Sequence, residues 1–347
     1  MNKAETILIT GGGGYIGVVL VEELLKHGYK VKVLDTFYWG REPLKHIKDK
    51  VELIQADIRD VGSDVLKNVQ HVIHAAALSN DPMANFNPKA NFEINTKATT
   101  RFAKLCKQSN IKRFIFASSA SIYDKGLVAN NEIQDEESPV SPKAAYSVSK
   151  YKVEKEILKL TGRSFCPVIF RQGTVFGFSP RMRYDLVVNT MVKDAISSGK
   201  IFVYCNGQEW RPLVEIRDVA KAYVLLLEAS EEVIKGQLFN LVYKNYNILS
   251  LARIIKEVLK KVRIAESKII VDNSKRKARS YKISGNKLKK LLGWSPQISV
   301  EESVMYTVRK IFEGDFVQFQ HPRFYNIEWM KLLTEVAQIL KISKRVF

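Results

Sequence analysis

No stretch of 18 consecutive apolar residues occurs in the chain, so it carries no segment able to cross a bilayer as a helix. Cysteine is scarce. Cys106, Cys166 and Cys205 are odd in number and far apart, which argues against a disulfide framework and suits reduced, buried thiols. The sequence has no C-x-x-C, no H-E-x-x-H and no clustered His/Asp set, so no metal is expected. Met1–Glu5 lacks a charged stretch leading into an apolar core and a cleavage site. It runs directly into a strand-like segment, a pattern that predicts a cytoplasmic protein. Neither an internal repeat nor a low-complexity linker interrupts the chain.

What is present fits a globular protein. Hydrophobic residues make up 46% and charged residues 26% of 347 positions, enough for one large domain or two modest ones. The formal net charge is +19, and between Lys256 and Lys290 there are 13 basic against 3 acidic residues. Three readings exist: a solvated lysine-rich face, a site for an anionic substrate such as a nucleotide diphosphate, and a nucleic-acid surface. The first is the plainest, and nucleic acid is not the expected partner.

Short apolar runs alternate with amphipathic ones. Thr6–Thr10, Lys30–Asp35, Val51–Gln55, His71–His74, Arg113–Ala117 and Val168–Phe170 read as strands. Helices are expected from Val18 to a stop at Gly28, from about Lys89 to Gln108, and from Tyr146 to Leu160. Alternation of this kind predicts an α/β protein: a Rossmann-type, doubly wound parallel sheet covered on both faces. Past about residue 175 the pattern loosens. Short strands (Ile201–Val203, Gln237–Asn240) mix with helices (Val214–Leu227, Leu249–Val262, Asn286–Leu292, Val300–Phe312). The expected organisation is therefore 1–175 as the cofactor-binding part carrying the catalytic residues, 176–312 as a smaller mixed α/β substrate region interleaved with it, and 313–347 as a helical extension.

Thr10-Gly11-Gly12-Gly13-Gly14-Tyr15-Ile16-Gly17 follows the first strand and opens the first helix. Gly11, Gly14 and Gly17 have GxxGxxG spacing, while Gly12, Gly14 and Gly17 also satisfy GxGxxG. Both patterns let the backbone turn sharply against a pyrophosphate and aim a helix N-terminus at it. Asp35 stands 18 residues beyond Gly17, at the end of the second strand. A carboxylate there accepts hydrogen bonds from ribose hydroxyls and repels a 2′-phosphate, which favours NAD over NADP. Asp57-Ile58 follows the third strand, placed either to meet the adenine or to cap a helix.

Tyr-x-x-x-Lys occurs at Tyr146/Lys150, Tyr151/Lys155 and Tyr306/Lys310. Spacing of four puts both members on one helix face. Tyr151 lies about 140° further round than Tyr146, so the two cannot share a site. Ser141-Pro142 marks a helix start before Tyr146, and Ser119 lies at the C-terminal end of a strand, the edge where open α/β sheets bind ligands. Ser119, Tyr146 and Lys150 are thus the catalytic candidates. A phenol near pH 10 is a poor base, but a neighbouring ammonium and a positive nicotinamide ring both favour phenolate. Lys150 can also bond the nicotinamide ribose, Ser119 can donate to the substrate oxygen, and Tyr146 can take a hydroxyl proton as hydride leaves.

With these elements assembled, the chain resembles the extended short-chain dehydrogenase/reductases, the NAD-dependent sugar-nucleotide epimerase/dehydratase family. The resemblance spans roughly 5–312. It rests on the glycine turn, Asp57-Ile58, His74-Ala75-Ala76-Ala77, Asn95, Ala117–Tyr123, Tyr146 with Lys150, Arg171, Arg211–Val214 with Asp218-Val219-Ala220, and Leu292-Gly293-Trp294-Ser295-Pro296. It implies that Ala75, Ala76 and Ala77 line the pyrophosphate and that Asn95 supports the cofactor site. It also implies a homodimer, paired through the helix carrying Tyr146 and the one before it, and work on activated sugars such as those feeding lipopolysaccharide or other surface polysaccharide. The substrate it implies is a nucleotide-diphosphate sugar, contacted by Arg181, Arg183, Arg211 and Arg279, since guanidinium pairs two phosphate oxygens at once.

Family dehydratases carry Asp-Glu after the serine and decarboxylases a glutamate; here Ala120 and Ser121 offer neither acid nor base. That leaves epimerisation at a sugar carbon, C4 by preference, with a single-step dehydrogenase or ketoreductase as the competing outcome. A non-catalytic nucleotide- or RNA-binding protein is the reading from another class. Trp329, Leu332, Leu333, Val336, Ile339 and Leu340 recur at helical spacing in the extension. They predict an amphipathic helix packed on the body, or else a surface for a partner or membrane.

Overall fold

A computed structural model describes residues 5–124, 132–273 and 279–341. Seven strands form the central sheet: β1 (Thr6–Thr10), β2 (Lys30–Asp35), β3 (Val51–Gln55), β4 (His71–His74), β5 (Arg113–Ser119), β6 (Cys166–Gln172) and β7 (Leu238–Leu241). Their order is β7-β6-β5-β4-β1-β2-β3, parallel throughout. This is a Rossmann-type, doubly wound sheet whose order reverses at β1, between β4 and β2. Parallel strands buried on both faces read as near-continuous apolar runs; every residue of β1, β4 and β6 is buried, with polar residues confined to the strand ends. Fully burying side chains such as Ile7, Leu8, Ile9, Val72 and Ile73 stabilises the fold by about 1.5–3 kcal/mol each.

Helix α1 (Tyr15–Lys26) covers one face through Val18, Leu20, Val21 and Leu24, packed into the cluster that includes Val219, Tyr223 and Phe170. On the other face Phe102, Ala103, Cys106, Val153 and Ile157 pack against Leu8, Phe114 and Phe116. The segment expected as one helix from Lys89 to Gln108 is helical throughout its described length, but its middle, Phe92–Ala98, is wound as a π-helix between α-helical turns. Short α2 (Asp81–Phe86) precedes it, and α3 (Ala145–Leu158) carries Tyr146 and Lys150.

Residues beyond 175 build a second core around Phe176, Tyr184, Val192, Leu213, Leu251, Ile255 and Val304. It surrounds a three-strand sheet (Thr174–Phe176, Trp210–Glu215, Lys244–Asn247) and helices Val187–Ser198, Ile248–Lys261 and Val300–Glu313. Two expectations change here. Val214 lies within a strand rather than starting a helix, which begins at Ile216 with Glu215, the strand's last residue, as its cap. The strand at Leu238–Leu241 belongs to the main sheet, against β6, so the chain returns to the first core after building the second.

The extension folds as α4 (Asn326–Ile339). Its buried residues are Asn326 and Met330, while Leu332, Val336, Ile339 and Leu340 are exposed. The expected packing of the apolar stripe on the body therefore holds only for the first turns. Cys106 and Cys166 are buried free thiols, whereas Cys205 is half-exposed in a tight turn with φ of 53°. The basic segment lies partly outside the described residues, at 274–278. Among the described residues, no helix is long and apolar enough to cross a membrane.

Candidate active site

One cavity opens at the C-terminal ends of β1, β2, β4 and β5, where the strand order reverses. Gly11, Gly14, Tyr15, Ile16, Gly17, Asp35, Asp57, Ile58, Ala75, Ala76, Ala77, Tyr146 and Lys150 all line it. Its geometry begins with two glycines. Gly11 has φ of +74°, and a Cβ there would stand 2.7 Å from Ala76 N; a Cβ on Gly17 would stand 2.6 Å from Gly12 Cα. Only glycine permits β1, β4 and α1 to approach this closely. Asp35 fixes the turn: its carboxylate accepts from Gly13 N at 3.0 Å and from Phe37 N at 2.8 Å. Burial raises this carboxyl, while the two amides and nearby Arg181 oppose the rise.

Asn95, 1% exposed, explains how the wall after β4 is held. Its side chain accepts from Leu78 N at 2.8 Å and donates to Leu78 O at 2.9 Å and Asn91 Oδ1 at 2.7 Å. It shapes the Ala75–Leu78 wall and is not itself among the cavity's lining residues. His74 bridges Thr10 Oγ1 at 2.8 Å and Thr99 Oγ1 at 2.9 Å. Burial, with Lys150 adding to it, drives His74 down to about 3, so it is a neutral strut. Asp57 does not cap a helix. It folds an Asx turn, accepting from Arg59 N at 2.8 Å and from the Arg59 guanidinium at 2.7 Å.

Ser119, Tyr146 and Lys150 come together at the end of β5. The Ser119 hydroxyl acts on the Tyr146 phenol, favouring its ionised form. Ser119 Oγ is 2.9 Å from Ser121 Oγ, which Ser147 also reaches at 2.9 Å. Lys150 Nζ donates to Ala117 O at 2.8 Å and sits 5.8 Å from the centre of the Tyr146 ring. Burial brings Lys150 down to about 7, with Glu154 opposing. Burial raises the Tyr146 phenol well above its usual range; Asp81 raises it further, and Arg183 and Ser119 oppose. The protein alone thus does not acidify the phenol as expected, because both groups are desolvated and a carboxylate outside the motif lies within electrostatic reach.

The four arginines expected to meet the substrate divide into two pairs. Arg181 and Arg183 line the cavity with Asp35 and the glycine turn; Arg211 and Arg279 do not. Arg279 bridges Asp81 and, at 3.3 Å, Asp124. Arg211 donates to the Arg279 carbonyl and, at 2.9 Å, to Trp210 O, and lies 5.9 Å from the Tyr281 ring centre. Asp81 and Tyr281 both act electrostatically on Tyr146, and Tyr146 acts on Arg279, so this second pair stands near Tyr146. Sequence patterns gave no signal for Trp39, Ser79, Gln172, Asn326 or Met330, all of which line the cavity; they arrive from distant segments without a spacing rule.

A glycine turn at the sheet's switch point, a carboxylate closing the second strand and a Ser–Tyr–Lys set beside them define a dinucleotide-dependent enzyme acting on a carbinol. The chain belongs to the NAD dependent epimerase/dehydratase family, whose model matches residues 7–242. It is 29% identical over 310 residues to a putative UDP-glucose 4-epimerase of Methanocaldococcus jannaschii, covering 87% of this chain and 97% of that one. It is also 27% identical over 314 residues to UDP-glucuronic acid decarboxylase 1 of Xenopus tropicalis, covering 88% and 71%. Its fold is shared by UDP-glucuronic acid 4-epimerase from Bacillus cereus, solved with UDP-glucuronic acid and NAD, at a TM-score of 0.77 and 22% identity over 89% of this chain and 99% of that one. NAD is the family's cofactor, and the Gly11–Gly17 turn, Asp35 and the Ala75–Ala77 wall fit it.

Proposed function

We propose that this protein is an NAD-dependent nucleotide-sugar epimerase inverting C4 of the sugar, working in the cytoplasm as a homodimer. The observation that carries the reading is the Ser119–Tyr146–Lys150 set, with Ala120 and Ser121 in the helical turn just past β5 supplying no further acid or base. Bound NAD supplies the redox couple and, when oxidised, a positive charge. Tyr146 takes the proton of the sugar hydroxyl and returns it in the second step; its high affinity for a proton in the free protein opposes the first step until a positive charge stands beside it. Ser119 orients the substrate oxygen. Lys150, anchored on Ala117 O, would bond the nicotinamide ribose. Arg211 and Arg279 take the nucleotide diphosphate, Arg279 leaving Asp81 and Asp124 to do so.

Incubating the protein with UDP-, GDP-, CDP- and dTDP-sugars in D2O, read by proton NMR, tests the reading. Epimerisation at C4 through an internally returned hydrogen gives the epimer without deuterium. Loss of carbon dioxide from a uronic acid, deuterium at C5 of a 6-deoxyketosugar, or a lasting ketosugar that keeps its C6 oxygen each defeats it in favour of decarboxylation, dehydration or single-step oxidation.

A further inference from the structure

The cavity holds a cation that the reaction does not use. Arg181 is 5% exposed and stacks 4.2 Å above the Trp39 ring. Its guanidinium donates only to neutral oxygens, Met182 O at 3.4 Å and Asn326 Oδ1 at 2.6 Å, and its Nε is buried without a partner. Neighbouring Arg183 has its own carboxylate, Asp185, at 2.8 and 2.9 Å, and Asp35 is committed to the Gly13 and Phe37 amides. A buried guanidinium facing a dinucleotide cavity without a carboxylate bonded to it is a built anion site. Tyr15 and Ser179 place it. Ser179 Oγ donates to Tyr15 O at 2.8 Å and Tyr15 OH to Gly177 O at 2.6 Å, so the loop bearing Arg181 is docked on the first turn of α1, the anion-binding end of that helix.

The C-terminal helix holds this arginine in place. Asn326, 5% exposed, accepts from Arg181, donates Nδ2 to Ser79 Oγ at 3.1 Å and donates its backbone N to Asp185 Oδ2 at 3.3 Å. Trp329 Nε1 donates to Tyr38 O at 2.7 Å, beside Trp39. Met330 is fully buried and lines the same cavity. One turn of α4 thus touches the wall after β4, the loop after β2 and the Arg181 loop.

We propose that Arg181 is a ligand for the cofactor's pyrophosphate and that the first turn of α4 is a clasp holding it there, so that the extension sets how long NAD stays bound. The inference concerns the cofactor alone and stands whichever sugar reaction the enzyme performs. The shared chemistry is a diphosphate, available from NAD or from the nucleotide sugar, and two measurements separate them. The first is dissociation of etheno-NAD from the full-length protein, followed by fluorescence. The second is calorimetric binding of UDP to NAD-saturated protein. Loss of a charged hydrogen bond predicts about 10–100-fold faster etheno-NAD release in Arg181→Met. Asn326→Ala, which keeps the arginine and frees it, is expected to speed release several-fold, and Arg181→Lys to recover part of the loss. UDP affinity is expected to stay within about two-fold in all three. Unchanged release with weakened UDP binding makes Arg181 a substrate ligand and overturns the proposal; unchanged release and unchanged UDP binding makes the contacts purely architectural and overturns it equally. Should Arg181→Met fail to fold, Arg181→Lys and Asn326→Ala decide by the same readouts.

Discussion

Lys150 is a buried amine, and its burial predicts a measurable pH dependence of folding. It is 3% exposed and is brought from 10.5 to about 7, chiefly by desolvation, with Glu154 resisting. The folded value lies below the unfolded one, so between these two values the unfolded chain binds a proton that the folded chain lacks. Stability therefore rises with pH across that window and is lowest below pH 7, where the ammonium must be buried. At 1.36 kcal/mol per unit, the part of the window between pH 7 and 9 corresponds to about 2–3 kcal/mol. Lys150→Met abolishes this dependence. It also leaves the Ala117 carbonyl without its donor, a pH-independent cost of about 1–3 kcal/mol. Urea unfolding of cofactor-stripped protein at pH 7, 8 and 9, wild type beside Lys150→Met, measures both terms, and other titrating groups cancel in the difference. If the two proteins show parallel stability curves, Lys150 is not the desolvated amine described here, and its place in the site is wrong.

Other consequences follow from single contacts. Glu154 and Arg171 form a buried pair, bonded at 2.6 Å, with Ser118 Oγ also donating to Glu154 at 2.5 Å. Glu154→Ala leaves Arg171 unpaired and is expected to cost about 3–5 kcal/mol in urea melts. Gly17→Ala drives a methyl into Gly12 Cα; about 1–3 kcal/mol of stability and most of the copurifying NAD, read by absorbance, are expected to go. Asn95→Ala removes two hydrogen bonds from the Leu78 wall and one from Asn91 and is expected to weaken NAD binding through loop disorder, seen as faster amide exchange at residues 75–78.

The sheet was legible because parallel strands covered on both faces are continuous apolar runs, and β1 to β6 stand where such runs occur. Local pattern also marked residues 237–240 as a strand but carried no information on its neighbour, since pairing with β6 joins segments about 70 residues apart. The glycine turn, Asp35, Ser119, Tyr146 and Lys150 were legible for a different reason: their chemistry demands particular residue types at short spacings on one edge. Arg181 defied that logic. It lies in the stretch expected to meet substrate, yet Trp39 and Asn326, from opposite ends of the chain, fix it beside Asp35. In α4 the stripe of Trp329, Leu332, Leu333, Val336, Ile339 and Leu340 marked the docked face only at Trp329, which bonds Tyr38; Leu332, Val336, Ile339 and Leu340 are exposed, and the polar Asn326 with Met330 makes the rest of the contact. Tyr146's raised affinity for its proton was equally invisible, since it comes first from burial in the folded chain and then from Asp81, which reaches it from α2.

The proposed reaction turns on Tyr146 as the proton-transfer group, and turnover of the Tyr146→Phe protein, loaded with NAD and given the sugar nucleotide identified by NMR, tests it most directly. A fall in kcat of at least about 100-fold, with UDP binding retained, is the predicted result. A Tyr146→Phe enzyme turning over near the wild-type rate contradicts it.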